Sequence, residues 1–225
     1  IVRQLSSLPL VFIDEAPRRS GTCALTIDYR RGFREAIRHL ANLGHRKIAY
    51  MSGPMGEGSS RLRRDAFLAA MEAAECTCRE NWLVEGNHTM ESGTYVMAHL
   101  LSQKTLPTAV ICSNDMMAFG AKRELNRREI DLPGCISLVG FDDIQFAEFS
   151  TPPLTTIRMS RKALARAAVE ALRSLIEMPG QPIPKILLSV PTSLIVRQST
   201  GYAPRSASRA DATAAASLAG RRPRA

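Results

Sequence analysis

Small or acidic polar residues follow several short apolar runs of this 225-residue chain. Asp14 follows Leu-Val-Phe-Ile, Ser113-Asn114-Asp115 follows Ala-Val-Ile-Cys, and Asp142-Asp143 follows Ser-Leu-Val-Gly-Phe. Carboxylate and amide groups can accept or share hydrogen bonds with the hydroxyl groups of a ligand. Because the carboxyl ends of parallel strands meet at one edge of a sheet, this spacing predicts a single convergent polar site.

Two adjacent carboxylates repel each other, so at least one of Asp142 and Asp143 should have a donor, either an arginine or a ligand hydroxyl. We expect Asp142 to bind the ligand. Asp115 and Ser59 have two alternative roles, ligand binding and helix capping, since residues of these types also cap helices. Ser59 and Ser60 are candidate N-caps of a helix that follows them.

Three arginines, at positions 61, 63 and 64, lie within one predicted helical turn. Successive residues of a helix are rotated by about 100°, so the three side chains cannot all point the same way. Two alternatives follow: one of the arginines faces the crevice, or all three form a solvated basic turn.

No catalytic or metal-binding motif is present in the sequence. It contains no Gly-x-Ser-x-Gly, His-Glu-x-x-His or phosphate-binding loop, and glycines 53, 56 and 58 have the wrong order for a dinucleotide fingerprint. The four histidines and five cysteines show no metal-ligand spacing. We therefore expect no enzymatic activity, no metal and no cofactor, and reduced cysteines.

Short β-branched runs alternate with amphipathic runs of helical length, which predicts an α/β fold with a parallel sheet flanked by helices. Helices are predicted over residues 29–43, 61–74, 115–128 and 162–176, and from Ser92. Gly44 should close the first helix in a left-handed conformation. Strands are predicted over residues 10–13, 47–51, 108–112, 136–139, 154–158, 186–189 and 194–196.

The net charge of +9 does not by itself establish nucleic-acid binding. The segment from Thr200 to Ala225 holds five arginines and one aspartate among alanines and serines, and it lacks apolar periodicity, so we expect a disordered tail there. No apolar run is long enough to span a bilayer and no signal peptide opens the chain, which favours the cytoplasm. The chain begins at Ile1, without methionine, and we expect a fragment.

Seven segments carry a resemblance to a known family. They are LVFID at 10–14, HLANLGHRKIAYMSGP at 39–54, SSRLRRDAF at 59–67, PTAVICSNDMMAFGA at 107–121, ISLVGFDD at 136–143, PPLTTIR at 152–158 and VRQST at 196–200. Through them the chain from Leu8 to about Thr200 resembles the LacI/GalR family of transcription regulators. The resemblance implies a periplasmic-binding-protein-like type I fold, with parallel sheets flanked by helices in two lobes and the N-terminal lobe incomplete.

The same resemblance implies which residues touch a ligand. The positions of the family's contacts fall on Asp14, Ser59, Arg63, His88, Asn114 and Asp142. His88 occupies a ring-stacking position in place of the larger aromatic often found there, which favours a charged or acidic ligand. Residues 1–27 and 159–186 are expected to form the partial N-terminal lobe, residues 28–158 and 187–199 the C-terminal lobe, and residues 200–225 the tail.

The resemblance implies an effector-sensing domain that binds a sugar or sugar acid, pairs as a homodimer and modulates operator DNA binding. The DNA would be bound by an N-terminal helix-turn-helix that this chain lacks. The alternative is a periplasmic sugar-binding protein of a transporter, which shares the core fold. The PPLTT and SLVGFDD segments are typical of the regulators and favour the first interpretation.

Overall fold

The computed structural model describes residues 8–14, 22–177 and 189–204. These ranges contain eight strands and six α-helices, and every strand pair has parallel register, which confirms the predicted α/β class. In chain order they are β1 (Leu10–Ile13), β2 (Thr22–Asp28), α1 (Tyr29–Asn42), β3 (Ile48–Ser52), α2 (Gly58–Ala73), β4 (Leu83–Glu85), α3 (Met90–Leu101), β5 (Ala109–Cys112), α4 (Asp115–Arg127), β6 (Ser137–Asp142), α5 (Gln145–Phe149), β7 (Thr155–Met159), α6 (Arg161–Glu177) and β8 (Ser189–Ile195).

The chain divides into two compact units. The first comprises residues 1–29 and 159–192, and the second comprises residues 30–158 and 193–225. In the first unit β2 pairs with β1 on one side and with the start of β8 on the other, and α6 packs against β1 and β2. Leu25, Ile27 and Val190 are buried in it. The assignment of these units to the lobes of a complete protein remains a prediction.

The second unit has a parallel sheet in the strand order β7-β6-β5-β3-β4. Tyr50 is paired with Ile111, Ile111 with Val139, and Val139 with Thr155. All four of these residues are fully buried, as expected for strands covered by helices on both faces. The register brings the ends of β3, β5 and β6 to one edge of the sheet, and the residues that follow these strands lie there.

The two sides of this sheet are packed differently. On one side an aromatic cluster joins Phe33 of α1 and Phe67 of α2 to Tyr50 and Phe141, with the rings of Tyr50 and Phe67 stacked at 4.8 Å. Such aromatic pairs add to the stabilisation from burial. On the other side α3 and α4 pack against Val110, Cys112 and Leu138.

Two glycines set the separation of α3 and α4. A Cβ atom added to Gly93 would lie 2.1 Å from the backbone oxygen of Met117, and one added to Gly120 would lie 1.9 Å from the backbone oxygen of Met90. The obstructing atoms belong to backbone, so they cannot move aside as a flexible side chain would. The two helices are therefore held closer than any larger residue at either position would permit.

Helix starts differ from the sequence prediction in two places. The N-cap of α2 is Glu57 and the helix begins at Gly58, so Ser59 and Ser60 lie inside the first turn and their predicted capping role is wrong. The next helix begins before Ser92, because Thr89 is its N-cap and accepts a hydrogen bond from the Ser92 backbone N–H. Gly44 has φ of +88°, which confirms the predicted left-handed residue after α1.

The described C-terminal residues are packed against the second unit. His39 Nε2 lies 2.9 Å from Thr200 Oγ1, His45 Nε2 lies 3.0 Å from the Gly201 carbonyl oxygen, and Ala203 donates its backbone N–H to Leu43. These contacts involve the first residues of the predicted tail, whose bounds remain a prediction. Residues 205–225 lie outside the described residues, as do residues 186–188 of the strand predicted at 186–189.

All five cysteines are free. No helix within the described ranges is long and apolar enough to cross a membrane.

Candidate functional site

Arg63 is the arginine of α2 that turns inward. Its Nη1 donates a 2.7 Å hydrogen bond to the backbone carbonyl of Ser113, its Nη2 lies 3.9 Å from Asp142 Oδ1, and its guanidinium carbon lies 4.4 Å from the centre of the Phe141 ring. The side chain is only 12% exposed. The contacts with Ser113 after β5 and with Asp142 at the end of β6 fix this planar, permanently charged group at the carboxyl edge of the sheet.

The other two arginines of the turn point elsewhere. Arg61 donates to the backbone carbonyls of Met55 and Gly56, and Arg64 lies 3.4 Å from the carboxylate of Asp65. The alternative in which one arginine of the three faces inward is therefore confirmed, for Arg63.

His88 is the centre of a hydrogen-bonded network beside Arg63. Its Nε2 lies 3.3 Å from both Ser60 Oγ and Glu57 Oε2, and its Nδ1 lies 3.3 Å from Ser113 Oγ. A carboxylate only accepts hydrogen bonds, so Nε2 carries the proton of the neutral ring and Nδ1 accepts from Ser113. Burial lowers the pKa of His88, the charge of Arg63 lowers it further, and Glu57 opposes both. The ring is therefore neutral at pH 7.

A backbone glycine leaves room for this imidazole. A Cβ atom on Gly53, at the end of β3, would lie 2.1 Å from His88 Cε1 and 2.6 Å from Ser60 Oγ. The ring thus fills the space that a side chain would otherwise take. Glycine at this position is a requirement of the site rather than of the strand.

Asn114 uses its side-chain amide within the protein. Its oxygen accepts a 2.8 Å hydrogen bond from the backbone N–H of Met117, which makes it the N-cap of α4, and its Nδ2 donates to the His88 backbone carbonyl at 2.9 Å. Capping of this kind stabilises a helix by about 1 kcal/mol. Asn114 therefore positions His88 as well as lying at the strand edge, and one amide hydrogen still has capacity for a ligand.

The Asp142-Asp143 pair has the donors that charge repulsion requires. Asp143 lies 2.5 Å from Arg158 and 2.8 Å from Arg197, and Asp142 faces Arg63. The prediction that at least one carboxylate has a donor is thus confirmed, with arginine as the donor. Asp142 remains 29% exposed on its side chain, whereas Asp143 is 9% exposed. Asp142 is the member of the pair that a ligand can reach.

Backbone conformations with positive φ recur at the candidate positions. Values of +69°, +67° and +105° are found at Asp14, His88 and Asp142. Side chains other than glycine seldom adopt this conformation, which costs about 1–3 kcal/mol, and such strain concentrates at ligand-binding sites. The packing around His88 and Asp142 is what maintains it.

Asp115 is fully buried directly behind the Asp142-Asp143 loop. Burial raises the pKa of this carboxyl to about 7, although hydrogen bonds from the Thr156 hydroxyl and the Ile144 backbone N–H act in the opposite direction. Of the two alternatives left open for Asp115, neither the helix cap nor direct ligand contact describes its position. It braces the loop that carries Asp142.

Five of the six predicted site residues belong to the second unit. Arg63, His88, Asn114 and Asp142 meet in the network around Ser113, and Ser59 lies half-buried in the first turn of α2. Asp14 belongs to the first unit, where it accepts hydrogen bonds from the Tyr29 hydroxyl at 2.7 Å and the Ile27 backbone N–H at 3.3 Å. Its convergence with the others remains a prediction.

Three further residues shape this site: Glu57, Ser60 and Ser113. Ser113 was already among the polar residues that follow a predicted strand, although it was not selected as a ligand contact. Glu57 and Ser60 could not be selected from the sequence, because they become neighbours of His88 only through the loop between β3 and α2. In the described part of the chain, no cluster of histidine, cysteine and acidic residues could hold a metal ion.

The sequence of residues 37–200 matches the family model for the periplasmic binding protein-like domain. The chain belongs to this family, and within it to the LacI/GalR type. It is 34% identical over 200 residues to the HTH-type transcriptional repressor PurR of Haemophilus influenzae, an alignment that covers 88% of this chain. The chain spans only 59% of the length of that relative.

Solved structures agree with the family assignment. A LacI transcriptional regulator from a Rhodococcus species matches with a TM-score of 0.80 and 31% identity, covering 90% of this chain and 74% of the regulator. A Lac repressor dimer, bound to operator and the anti-inducer ONPF, matches with a TM-score of 0.77 and 27% identity, covering 89% and 68%. The periplasmic-binding-protein-like fold expected from the sequence is thereby confirmed.

Proposed function

We propose that this chain is the effector-sensing domain of a LacI/GalR-type transcription regulator, and that a small polar ligand bound at the His88 network modulates operator binding by the full-length protein. The observation that carries the proposal is the placement of Arg63, with its buried guanidinium at the strand edge between Ser113 and Asp142. The PurR relative is a transcriptional repressor, which supports a regulator over a transporter component.

The chemistry of the site suits a ligand rich in hydroxyl or ring-nitrogen groups. The fork of N–H donors on Arg63 can hold two acceptors of a rigid ligand, and Asp142 can accept from a hydroxyl or amine. A sugar or sugar-like molecule meets these needs, and so does a purine, the class suggested by the name of the PurR relative. Binding such a ligand requires no covalent bond to form or break, and we propose no enzymatic role.

We propose a homodimer formed through an apolar groove on the second unit. The groove has a volume of about 400 Å³ and is lined by Met90, Met116, Phe119, Phe146 and Phe149. Phe146 and Phe149 are 71% and 72% exposed, which is unusual for phenylalanine. A second copy would bring the same apolar surface and cover both, as a two-fold interface does. The related Lac repressor is described as a dimer.

Operator DNA would be bound by a part of the regulator outside this chain. The portion of the PurR relative that this chain leaves unmatched is large enough for a DNA-binding domain. A regulator that acts on operator DNA works in the cytoplasm, so that location is part of the same proposal. Ligand binding shifts the population of dimer conformations, and the affinity for operator changes with it.

The deciding experiment measures operator affinity of the full-length regulator with and without candidate ligands. Sugars, sugar acids and purines are first screened by thermal shift, because a ligand that binds only the folded state raises the unfolding temperature. A compound that stabilises the protein should also change the dissociation constant for operator by several-fold. A stabilising ligand that leaves operator affinity unchanged would instead favour the periplasmic sugar-binding alternative.

A further inference from the structure

Glu57 brings a second carboxylate to the candidate site. It is the N-cap residue of α2, and its Oε2 lies 3.3 Å from His88 Nε2. The side chain is 52% exposed, so the carboxylate contacts the imidazole and is also accessible to a ligand. Neither the residue types nor the family resemblance indicate Glu57 as a ligand contact.

Glu57 and Arg63 place charges of opposite sign near His88, and both act on the pKa of the ring. His88 itself is neutral at pH 7, because burial and Arg63 lower its pKa. The nearby cation, Arg63, already faces the Asp142 carboxylate and the Ser113 carbonyl. An anionic group placed beside His88 would therefore meet the carboxylate of Glu57 without a compensating imidazolium.

The same arrangement favours a hydrogen-bond donor. One oxygen of Glu57 accepts from His88, and a carboxylate has capacity for about four hydrogen bonds in total. The imidazole Nε2–H points toward the Glu57 carboxylate, and Nδ1 on the other side of the ring lies 3.3 Å from the Ser113 hydroxyl. The carboxylate is thus oriented before any ligand arrives, which reduces the entropy lost on binding.

We infer that Glu57 is a specificity-determining residue, which accepts a hydrogen bond from an amino or hydroxyl group of the ligand and weakens the binding of anionic ligands. The inference rests on the proposed function, since it concerns the ligand of the same site. It replaces the acidic ligand favoured by the family resemblance with a neutral or amine-bearing one.

The first test uses inorganic phosphate as a charge probe of the full-length protein. Ring resonances of His88, assigned with a His88→Gln variant, are followed by NMR during a phosphate titration. In the Glu57→Gln variant we expect phosphate to bind about tenfold more tightly than in the wild type, because a like charge near the probe has been removed. The pKa of His88 should also fall, because Glu57 raises it. Equal phosphate affinity in the two proteins overturns the inference.

The matched control is Glu72→Gln, which removes an exposed carboxylate at the far end of the same helix. This change should leave both the phosphate titration and the pKa of His88 as in the wild type. A response as large as that of Glu57→Gln would mean that net charge alone explains the effect, and would also overturn the inference.

The second test compares matched ligands by calorimetry: glucose, glucosamine and glucuronate, and the bases guanine and hypoxanthine. Within a series that binds, we expect the amino-bearing or neutral compound to bind more tightly than the acid. The Glu57→Gln variant should reduce this preference about tenfold. Tightest binding of glucuronate to the wild type contradicts the role of Glu57. If no compound binds, the proposed function fails, and the phosphate titration still decides the role of Glu57.

Discussion

The buried carboxylate of Asp115 accepts a 2.6 Å hydrogen bond from the hydroxyl of Thr156, which joins the first residue of α4 to β7. Its second oxygen accepts from the backbone N–H of Ile144 at 2.8 Å, directly after the Asp142-Asp143 pair. One carboxyl group therefore fixes the loop that carries Asp142. A Cβ atom on Gly140 would lie 2.1 Å from the same carboxylate, so glycine is needed beside it.

The pH dependence of stability should contain a contribution from Asp115. Burial raises its pKa to about 7 from an ordinary value of 3.8, so the folded state favours the protonated acid. This contribution to the free energy of unfolding is fully present below about pH 4 and is lost as the pH rises through about 7. We expect Asp115→Asn to flatten the pH profile by on the order of 2–4 kcal/mol between about pH 4 and 8. Urea unfolding of both proteins across this range measures it, and parallel profiles would contradict the assignment.

Arg63→Ala and Asp142→Ala should each weaken ligand binding while the fold survives. Removal of either leaves polar groups of the ligand without partners, which costs about 1–3 kcal/mol, or roughly tenfold to a hundredfold in affinity. Calorimetry with a ligand found in the thermal-shift screen gives the loss. Arg64→Ala is the control, because the half-buried Arg64 lies 3.4 Å from the carboxylate of Asp65 rather than beside Ser113 and Asp142, and affinity should not change. Unchanged affinity in Arg63→Ala would show that Arg63 does not bind the ligand.

Gly53→Ala should displace His88 and reduce ligand affinity, because the new methyl group would lie 2.1 Å from the imidazole. The ring can swing aside, so we expect a stability loss of only about 1 kcal/mol, with affinity reduced at least tenfold. Gly56→Ala is a matched control in the same loop, since nothing lies within 4 Å of its added Cβ atom. Ligand calorimetry measures the loss of affinity, and the His88 ring resonances report the displacement of the imidazole. Wild-type resonances in Gly53→Ala would show that the predicted clash is absent.

Phe146→Glu combined with Phe149→Glu should weaken the proposed homodimer. Both side chains are exposed at the apolar groove, and a buried carboxylate without a partner costs several kcal/mol at an interface. Sedimentation velocity should show monomer at concentrations where the wild type is dimeric. Tyr202→Glu changes another exposed aromatic outside the groove and should leave the dimer intact. A dimer unaffected by the double change would show that the interface lies elsewhere on the protein.

Much of this site was accessible from the sequence because polar residues followed short apolar strands. The ends of β5 and β6 are marked by abrupt changes from buried aliphatic residues to Ser113 and Asp142, and parallel register brings such ends together. Helical rotation showed only that the three arginines of α2 could not all face the same way, and the family resemblance selected Arg63 among them. The family resemblance then selected His88, which residue types alone did not indicate.

Other features depend on contacts that leave little trace in the sequence. Strand β4 is three residues long and α5 is five, too short for periodicity to show. Strand β2 was missed because its residues, TCALTID, mix polar and apolar types without strict alternation. The start of α2 at Gly58 was missed because glycine is a poor helix former, and tertiary packing determines that boundary. The side chain of Glu57 lies beside His88 only because the helix begins at Gly58, which makes Glu57 its N-cap.

The close approach of α3 and α4 through Gly93 and Gly120 has a consequence for signalling. His88 immediately precedes the cap of α3, and Asn114 is the cap of α4, so both are attached to one stiff pair of helices. The first turns of the same two helices supply Met90 and Met116 to the apolar groove. If the proposed ligand displaced His88, this pair of helices would carry the displacement to the groove, and a second copy seated there would sense whether the site is filled.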